Sequence, residues 1–329
     1  MKLQQLRYLQ AIARYNLNIS EAADRLMTSQ PGISKQIRLL EEELGVPLFQ
    51  RNGKHLSGMT PVGRRILAYS DTILREVENI RSAAEEARDE QAGDLRIATT
   101  HAQARYILPP IVDAFKHRFP KVRVQIHQGT PRQIAEMLSH DEVDFIIGTE
   151  PLLASGQVIM LPAYRWTHCV VVPTGHELAH EKAIPLERLA DYPIVTYLDG
   201  FSGRTKMDSD FRRAGLTPDI VLTAADADVI KTYVRHGMGV GIIARIALEA
   251  GHDDDLVPLE TQPAFSENIT RIGFRRGAWM RTYMFDFITL LAPHLTHEQV
   301  ASAVQELDPE AVERLFANTD LPTGQPAWS

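Results

Sequence analysis

Apolar residues fall at helical intervals from the start of the chain. Leu3, Leu6, Leu9, Ile12 and Ala13 predict an amphipathic helix over residues 3–15. Residues 20–49, SEAADRLMTSQPGISKQIRLLEEELGVPLF, then predict two short helices joined by a tight turn. Ser20 is a good N-cap for the first, with Ala22, Ala23 and Leu26 facing the core. Thr28-Ser29 closes the turn and caps the second, and Pro31 falls where a missing N–H costs nothing. Ile33, Ile37, Leu40 and Leu44 form its buried stripe, leaving Gln30, Ser34, Lys35 and Arg38 outside. Gln50 to Leu56 predicts a β-hairpin turning at Asn52-Gly53 and carrying Arg51 and Lys54.

From Thr60-Pro61 towards Gly93, Ile66, Tyr69, Ile73, Val77, Ile80 and Ala84 recur every three or four residues. That is a coiled-coil-like seam on a rod roughly 45 Å long. Pairing with the same helix of a second chain buries such a seam; packing within one chain is the alternative.

Beyond Gly93 the pattern changes to alternating strands and helices. Leu95–Thr99, Val122–His127 and Asp144–Gly148 read as strands, with helices starting near Ala102 or Gln103 and at Thr130-Pro131. A second set comprises Thr167–Pro173, Pro193–Tyr197, Ile220–Thr223 and Val240–Ile243, and Arg271–Phe274 returns to the first. The βαβ rhythm predicts two α/β lobes joined by chain crossovers, with a ligand between them. His294 to Phe316 adds one or two surface helices. Thr319 to Ser329 reads as a Pro/Gly-rich mobile end.

Composition sharpens the division. Residues 1–59 hold eight Lys/Arg against five Asp/Glu, and the rest hold 27 against 37. A basic head on an acidic body suits a polyanion-binding module joined to a part that does not touch nucleic acid. No apolar run approaches the roughly 18 residues of a membrane span, and the N-terminus lacks a signal-peptide core. Cys169 is the only cysteine. A cytoplasmic, reducing location without an intrachain disulfide is the expectation.

The head's outer residues suit a DNA groove. Gln pairs with adenine, Arg and Lys with guanine or phosphate, and Ser with either. The capped helix start, Thr28-Ser29, suits a phosphate, and the hairpin with Arg51 and Lys54 suits the backbone or minor groove. A helical hairpin with a solvated polar face is the plainer reading.

In the body, Thr99-Thr100-His101-Ala102-Gln103 lies at a strand's C-terminal end, where ligands of α/β sheets bind. Its hydroxyls, amide and backbone N–H groups suit a carboxylate or sulfate. Thr149-Glu150 and Phe201-Ser202-Gly203-Arg204 follow other strands at equivalent places. Each threonine also reads as a simple helix cap. Asp226 and Asp228 read as caps, and Gly237, Gly239 and Gly241 as a helix-to-strand turn. The histidines lack metal-ligand spacing, and no GxSxG motif or CxxC pair is present. An enzyme on an α/β scaffold therefore lacks a nucleophile–base motif, and no cofactor or metal is expected.

Ala22 through Leu26, Ser29-Gln30-Pro31, Ser34, Ile37, Leu40-Glu41, Leu44-Gly45, Leu48-Phe49, Arg51 and Thr60-Pro61-Gly63 resemble the winged helix of LysR-type transcriptional regulators. The segments TSQPGISKQ, GKHL, IATTHAQARY, AGLTP, DADVIKTYVRHGMGVG and IGFRR resemble that family's CysB branch, activators of cysteine biosynthesis and sulfate assimilation genes.

The resemblance implies an N-terminal all-α winged helix-turn-helix (1–59), a dimerising linker helix (60–92) and a periplasmic-binding-protein-like effector domain (93–329). The effector domain divides into lobe I (93–163, 268–293), lobe II (164–267) and a helical tail (294–329). The implied effector residues are Thr100, Ala102, Gln103, Thr149, Glu150, Tyr164, Tyr197 and Ser202. Threonine is expected where this chain has Ala102 and Ser202, which bears on effector preference. The implied partners are promoter DNA, further copies of the chain as dimer or homotetramer, and RNA polymerase. The implied ligands are an acetylserine-type inducer with sulfate or thiosulfate as competitors. A LysR-type regulator of another pathway, sensing a different small carboxylate, remains the alternative.

Overall fold

The computed structural model describes residues 1–53, 55–149, 158–201, 203–306, 309–316 and 319–323. The chain divides into two compact units, Met1–Arg88 and Asp89–Ser329.

The first unit contains α1 (Leu3–Arg14), α2 (Ile19–Arg25), α3 (Gln30–Leu44), strands β1 (Phe49–Asn52) and β2 (His55–Met59), and α4 (Pro61–Glu86). Leu9, Ile12, Ala22, Ala23, Ile33, Ile37, Leu40 and Phe49 close its core. Asn18, not Ser20, caps α2: its side chain accepts from Glu21 N at 3.1 Å. The helix starts two residues earlier than the pattern places it, and Asn is an equally good cap. Leu26 and Leu44 are 39% and 37% exposed rather than core. Each lies at its helix's C-terminal end, past the last inward turn. Thr60 caps α4, accepting from Gly63 N at 2.9 Å. A Cβ at Gly63 would lie 2.1 Å from the Leu48 carbonyl oxygen, so the helix start is pressed against the residue before the wing.

One face of α4, including buried Ser70 and Leu74, packs along α1, and Gln10 donates to Asp71 there at 2.9 Å. Of the seam, Ile66 joins the head core. Tyr69, Ile73 and Ile80 remain 69%, 38% and 69% exposed.

The second unit begins with β3 (Gly93–Thr99), a π-helical turn (Gln103–Ile107), α5 (Leu108–Arg118), β4 (Val122–Gln128), α6 (Pro131–Ser139) and β5 (Phe145–Gly148). Next come β6 (Val158–Trp166), β7 (His168–Pro173), β8 (Ala183–Pro185), α7 (Leu186–Leu189), β9 (Ile194–Tyr197) and α8 (Arg204–Arg213). It ends with β10 (Ile220–Ala224), α9 (Ala227–Arg235), β11 (Val240–Ala244), β12 (Leu256–Gln262), β13 (Asn268–Arg275), α10 (Thr282–Leu291), α11 (His297–Gln305) and α12 (Pro309–Phe316).

Two sheets result. The first has the order β4-β3-β5-β13-β6, and the second β10-β9-β11-β7-β12-β8. In the first, β3 runs parallel to β4 and β5, while β13 is antiparallel to β5 and β6. The chain crosses between sheets at Thr167 and again over residues 263–267.

Strand β6 keeps Tyr164 and Trp166 in the first sheet, so the lobe boundary falls at Thr167 rather than after residue 163. The expected surface helices and the first residues of the expected mobile end are tied to the first lobe, while residues 324–329 lie outside the described residues. Val300, Ala303, Val312 and Phe316 join the first lobe's core. Arg165 N donates to Pro322 O at 2.8 Å, its guanidinium reaches Asp320 and Leu321 O, and Thr323 bridges to Arg165. This strap covers the free edge of β6, where unpaired strand groups would otherwise recruit another strand.

Candidate functional site

In the head, the Ser29 hydroxyl accepts from Gly32 N at 3.2 Å, fixing the start of α3. Gln30, Lys35 and Arg38 are exposed and Ser34 half-buried. Gln30 Nε2 donates to Ser34 Oγ at 3.1 Å, so the two share one polar patch. Thr28 is half-buried beside this cap. Arg51 is not free on the wing: it pairs with Glu41 Oε2 at 3.1 Å. The other Glu41 oxygen accepts from Leu48 N and Phe49 N, tying the recognition-type helix to the wing. Lys54 lies outside the described residues.

In the second unit, Thr99 ends β3 and Thr100 follows it. The Thr99 hydroxyl donates to Ile147 O at 2.8 Å, a structural bond between strands. Thr100 precedes the helical turn, and its carbonyl accepts from Ala104 N at 3.1 Å. The first N–H groups of a helix have no intrahelical partner and favour anions.

Beneath that turn lies an uncharged polar hub. Tyr164 OH donates to Gln103 Oε1. Gln103 Nε2 and Trp166 Nε1 both donate to the Thr270 hydroxyl, at 3.5 and 3.1 Å. The Thr149 hydroxyl lies 3.5 Å from the same oxygen. Gln103, Tyr164, Trp166 and Thr270 are all buried. Burial raises the Tyr164 phenol above its usual range, against the bonds from Thr270 and Gln103. It therefore stays a neutral donor.

The structure thus bonds Gln103 to Tyr164 and joins Thr149 to them through Thr270. Tyr197 sits in the other lobe, buried, its hydroxyl accepting from Ala244 N at 3.1 Å. Ala102 is 5% exposed and packs in one apolar cluster with Tyr106, Cys169, Val195 and Tyr197. Its methyl group belongs to the contact between lobes, where a threonine hydroxyl would need a new partner. Burial pushes the Cys169 thiol up to about 12, leaving it inert. Glu150 and Ser202 lie outside the described residues.

Sequence reasoning missed Thr270, Trp166 and Tyr106, and it named Arg204 only as part of the loop after β9. Thr270 and Tyr164 are direct partners across β13 and β6; only the i, i+2 spacing of Tyr164 and Trp166 hinted at a shared face. Arg204, with a side chain 9% exposed, binds Asp208 at 2.8 Å, Asp199 at 3.3 Å and the Tyr197 carbonyl. Its guanidinium is occupied by these protein groups.

The lobes also meet through charge. Tyr106 OH donates to Asp228 Oδ1, and Lys231 Nζ reaches Tyr106 OH, Asp228 and Asp253. Arg105 pairs with Glu249 at 2.7 Å. Asp226 caps α9, accepting from Val229 N at 2.9 Å. Ligand atoms of His101, Asp226 and Asp228 lie within 4.8 Å of one another, a grouping that histidine spacing alone did not show. The Lys231 ammonium, 3.1 Å from Asp228, opposes a cation there.

The family model for the LysR substrate binding domain matches residues 88–296. The model for the bacterial regulatory helix-turn-helix protein, lysR family, matches residues 3–64. The chain is 45% identical over 323 residues to the HTH-type transcriptional regulator CysB of Haemophilus influenzae, covering 98% of this chain and 100% of that protein. It is 45% identical over 306 residues to the HTH-type transcriptional regulator SsuR of Burkholderia cenocepacia, covering 93% and 99%. The solved cofactor-binding domain of the Cbl transcriptional regulator superposes with a TM-score of 0.63 at 40% identity, covering 65% of this chain and 94% of that one.

Proposed function

Because the chain belongs to the LysR family of transcriptional regulators, we propose that it couples promoter binding to a small sulfur-related anion. It is a regulator close to the CysB, SsuR and Cbl proteins, a class without enzymatic activity. In this reading α3 enters the major groove with Gln30, Ser34, Lys35 and Arg38, while Thr28 and Ser29 meet a phosphate. Arg51 and Lys54 contribute from the wing. Residues 1–59 form the DNA-binding head, 60–92 the pairing helix and 93–329 the effector domain. The exposed stripe of α4 pairs copies into a dimer, and dimers into a tetramer that contacts RNA polymerase in the cytoplasm.

The effector is an acetylserine-type inducer, with sulfate or thiosulfate as competitors, and needs no resident cofactor. Thr100, Ala102, Gln103, Thr149, Glu150, Tyr164, Tyr197 and Ser202 surround it. The observation that carries this reading is the hub of Gln103, Thr149, Tyr164 and Thr270. It offers hydroxyls and an amide below a helix start, and none of these four side chains is ionisable to a charge competing with an anion at neutral pH. The ligand shifts the lobes between arrangements and so changes the paired heads. The targets are cysteine biosynthesis and sulfate assimilation genes, which the protein activates.

Buried Ala102 favours a second reading, a regulator tuned to another small carboxylate. Calorimetry of the full chain with acetylserine, sulfate and an aromatic acid separates the two. Heat with the sulfur-related ligands supports the first; heat with the aromatic acid alone supports the second.

A further inference from the structure

Asn268 opens β13 and is fully buried. Its Oδ1 has no hydrogen-bond partner among the described residues. Among the described residues its Nδ2 makes a long contact, 3.5 Å, to the Ser266 carbonyl. A buried, unmatched amide oxygen is costly and rare, so it calls for a missing partner.

Its position says what is missing. Across the β13–β6 pair, Asn268 faces Trp166 and Thr270 faces Tyr164. Directly opposed residues share a sheet face, so Asn268 lies on the face that carries the polar hub. It lies two positions from Thr270, about 7 Å along the strand. On its other side the chain turns through Gly203 at φ 72° into α8. A Cβ at Gly203 would lie 2.5 Å from Asn268 Oδ1, so the amide fills the space of that absent side chain. The oxygen therefore lies on the hub's face of the sheet and beside Gly203, where α8 begins.

We propose that Asn268 Oδ1 accepts a hydrogen bond from an N–H of the effector. The site then takes an anion that also carries an ammonium or amide donor, as an amino-acid derivative does. A fully deprotonated anion such as sulfate has no donor to offer and leaves this oxygen unmatched. Asn268 is thus a specificity residue that separates donor-bearing ligands from bare oxyanions. The inference rests on the proposed reading of this site as the effector site.

Titration calorimetry on the full-length protein tests it, with O-acetylserine, N-acetylserine and inorganic sulfate as probes. Asn268→Leu removes the acceptor at similar size. It should weaken whichever acetylserine binds by about tenfold, the loss of one hydrogen bond, and leave sulfate within twofold. Asn268→Asp keeps an acceptor and adds charge. It should retain the acetylserine and weaken sulfate by at least about tenfold through repulsion. Thermal denaturation should show Asn268→Leu at least as stable as wild type, because an unmatched polar atom is gone. Equal losses of all ligands in both variants, or acetylserine binding unchanged in Asn268→Leu, would overturn the proposal. Wild-type protein that binds none of the probes would instead overturn the reading of the site, and this assignment with it.

Discussion

The Tyr106 hydroxyl donates to the Asp228 carboxylate at 2.7 Å, joining the π-helical turn after β3 to the first turn of α9. Burial, then the bond to Asp228, raises the phenol well above its usual range, so it remains a donor. Lys231 Nζ lies 3.2 Å from the same oxygen. Tyr106→Phe deletes the donor while leaving the Lys231–Asp228 pair. A hydrogen bond to a charged group contributes roughly 1.5–3 kcal/mol, and partial exposure of Asp228 favours the lower end. Effector affinity should fall about tenfold, while operator retardation without effector stays within about twofold. Unchanged effector affinity would remove this contact from the coupling between lobes.

Acid should loosen the same region. Burial raises the Asp253 pKa, but bonds from Lys231, Glu249 N and Arg235 outweigh it and hold the carboxyl below the usual range. A depressed carboxyl pKa contributes stability fully above the unfolded value, near 3.9. That contribution is lost as pH falls through the folded value. The melting temperature should therefore drop below about pH 4, and Asp253→Asn should melt lower at pH 7 with a shallower acid limb. Lys231→Met breaks a buried pair, though Arg235 remains beside Asp253. It should cost about 3 kcal/mol at neutral pH, read by denaturant unfolding.

Much of the architecture was legible because its causes are local. The seam of α4 and the capped start of α3 follow from residues within a few positions of each other. The candidate Gln103 and Thr149 also came from local signals, at strand ends. What remained hidden depends on distant partners or on prolines. Pro162 and Pro258 interrupt β6 and β12 and masked both as strands. The start of β13 was placed three residues late because Asn268 and Thr270 are polar on its buried face. The hub around Thr270 joins residues more than a hundred positions apart, beyond any periodicity.

Ala102 stands where threonine is expected, and it is buried in the apolar cluster that also holds Cys169, Val195 and Tyr197. Ala102→Thr would place a hydroxyl in that apolar cluster. An unmatched hydroxyl costs about 1–3 kcal/mol. The variant should melt lower and show a shifted effector titration midpoint, with operator affinity preserved. A melting temperature equal to wild type would mean that the hydroxyl finds a partner.

Ile80 and Tyr69, both 69% exposed, are too apolar for a solvated rod and lie away from the α1 contact. Ile80→Asp should shift sedimentation towards the monomer. It should also weaken operator binding, since two heads on one site gain from being linked. A variant that sediments as wild type would place the interface elsewhere.

Gln30 and Lys35 should separate base reading from backbone binding. Gln30 shares a patch with Ser34 on the exposed start of α3, where one bidentate base contact is worth about 1–3 kcal/mol of discrimination. Gln30→Ala should therefore narrow the gap between operator and unrelated DNA while leaving the salt slope unchanged. Lys35→Ala should weaken both DNAs alike and lower the log–log salt slope by about one. Retardation at several salt concentrations reads both quantities. Neither substitution lies in the effector domain, so acetylserine titrations should not move. A Gln30→Ala protein with full operator preference would remove this side chain from base recognition.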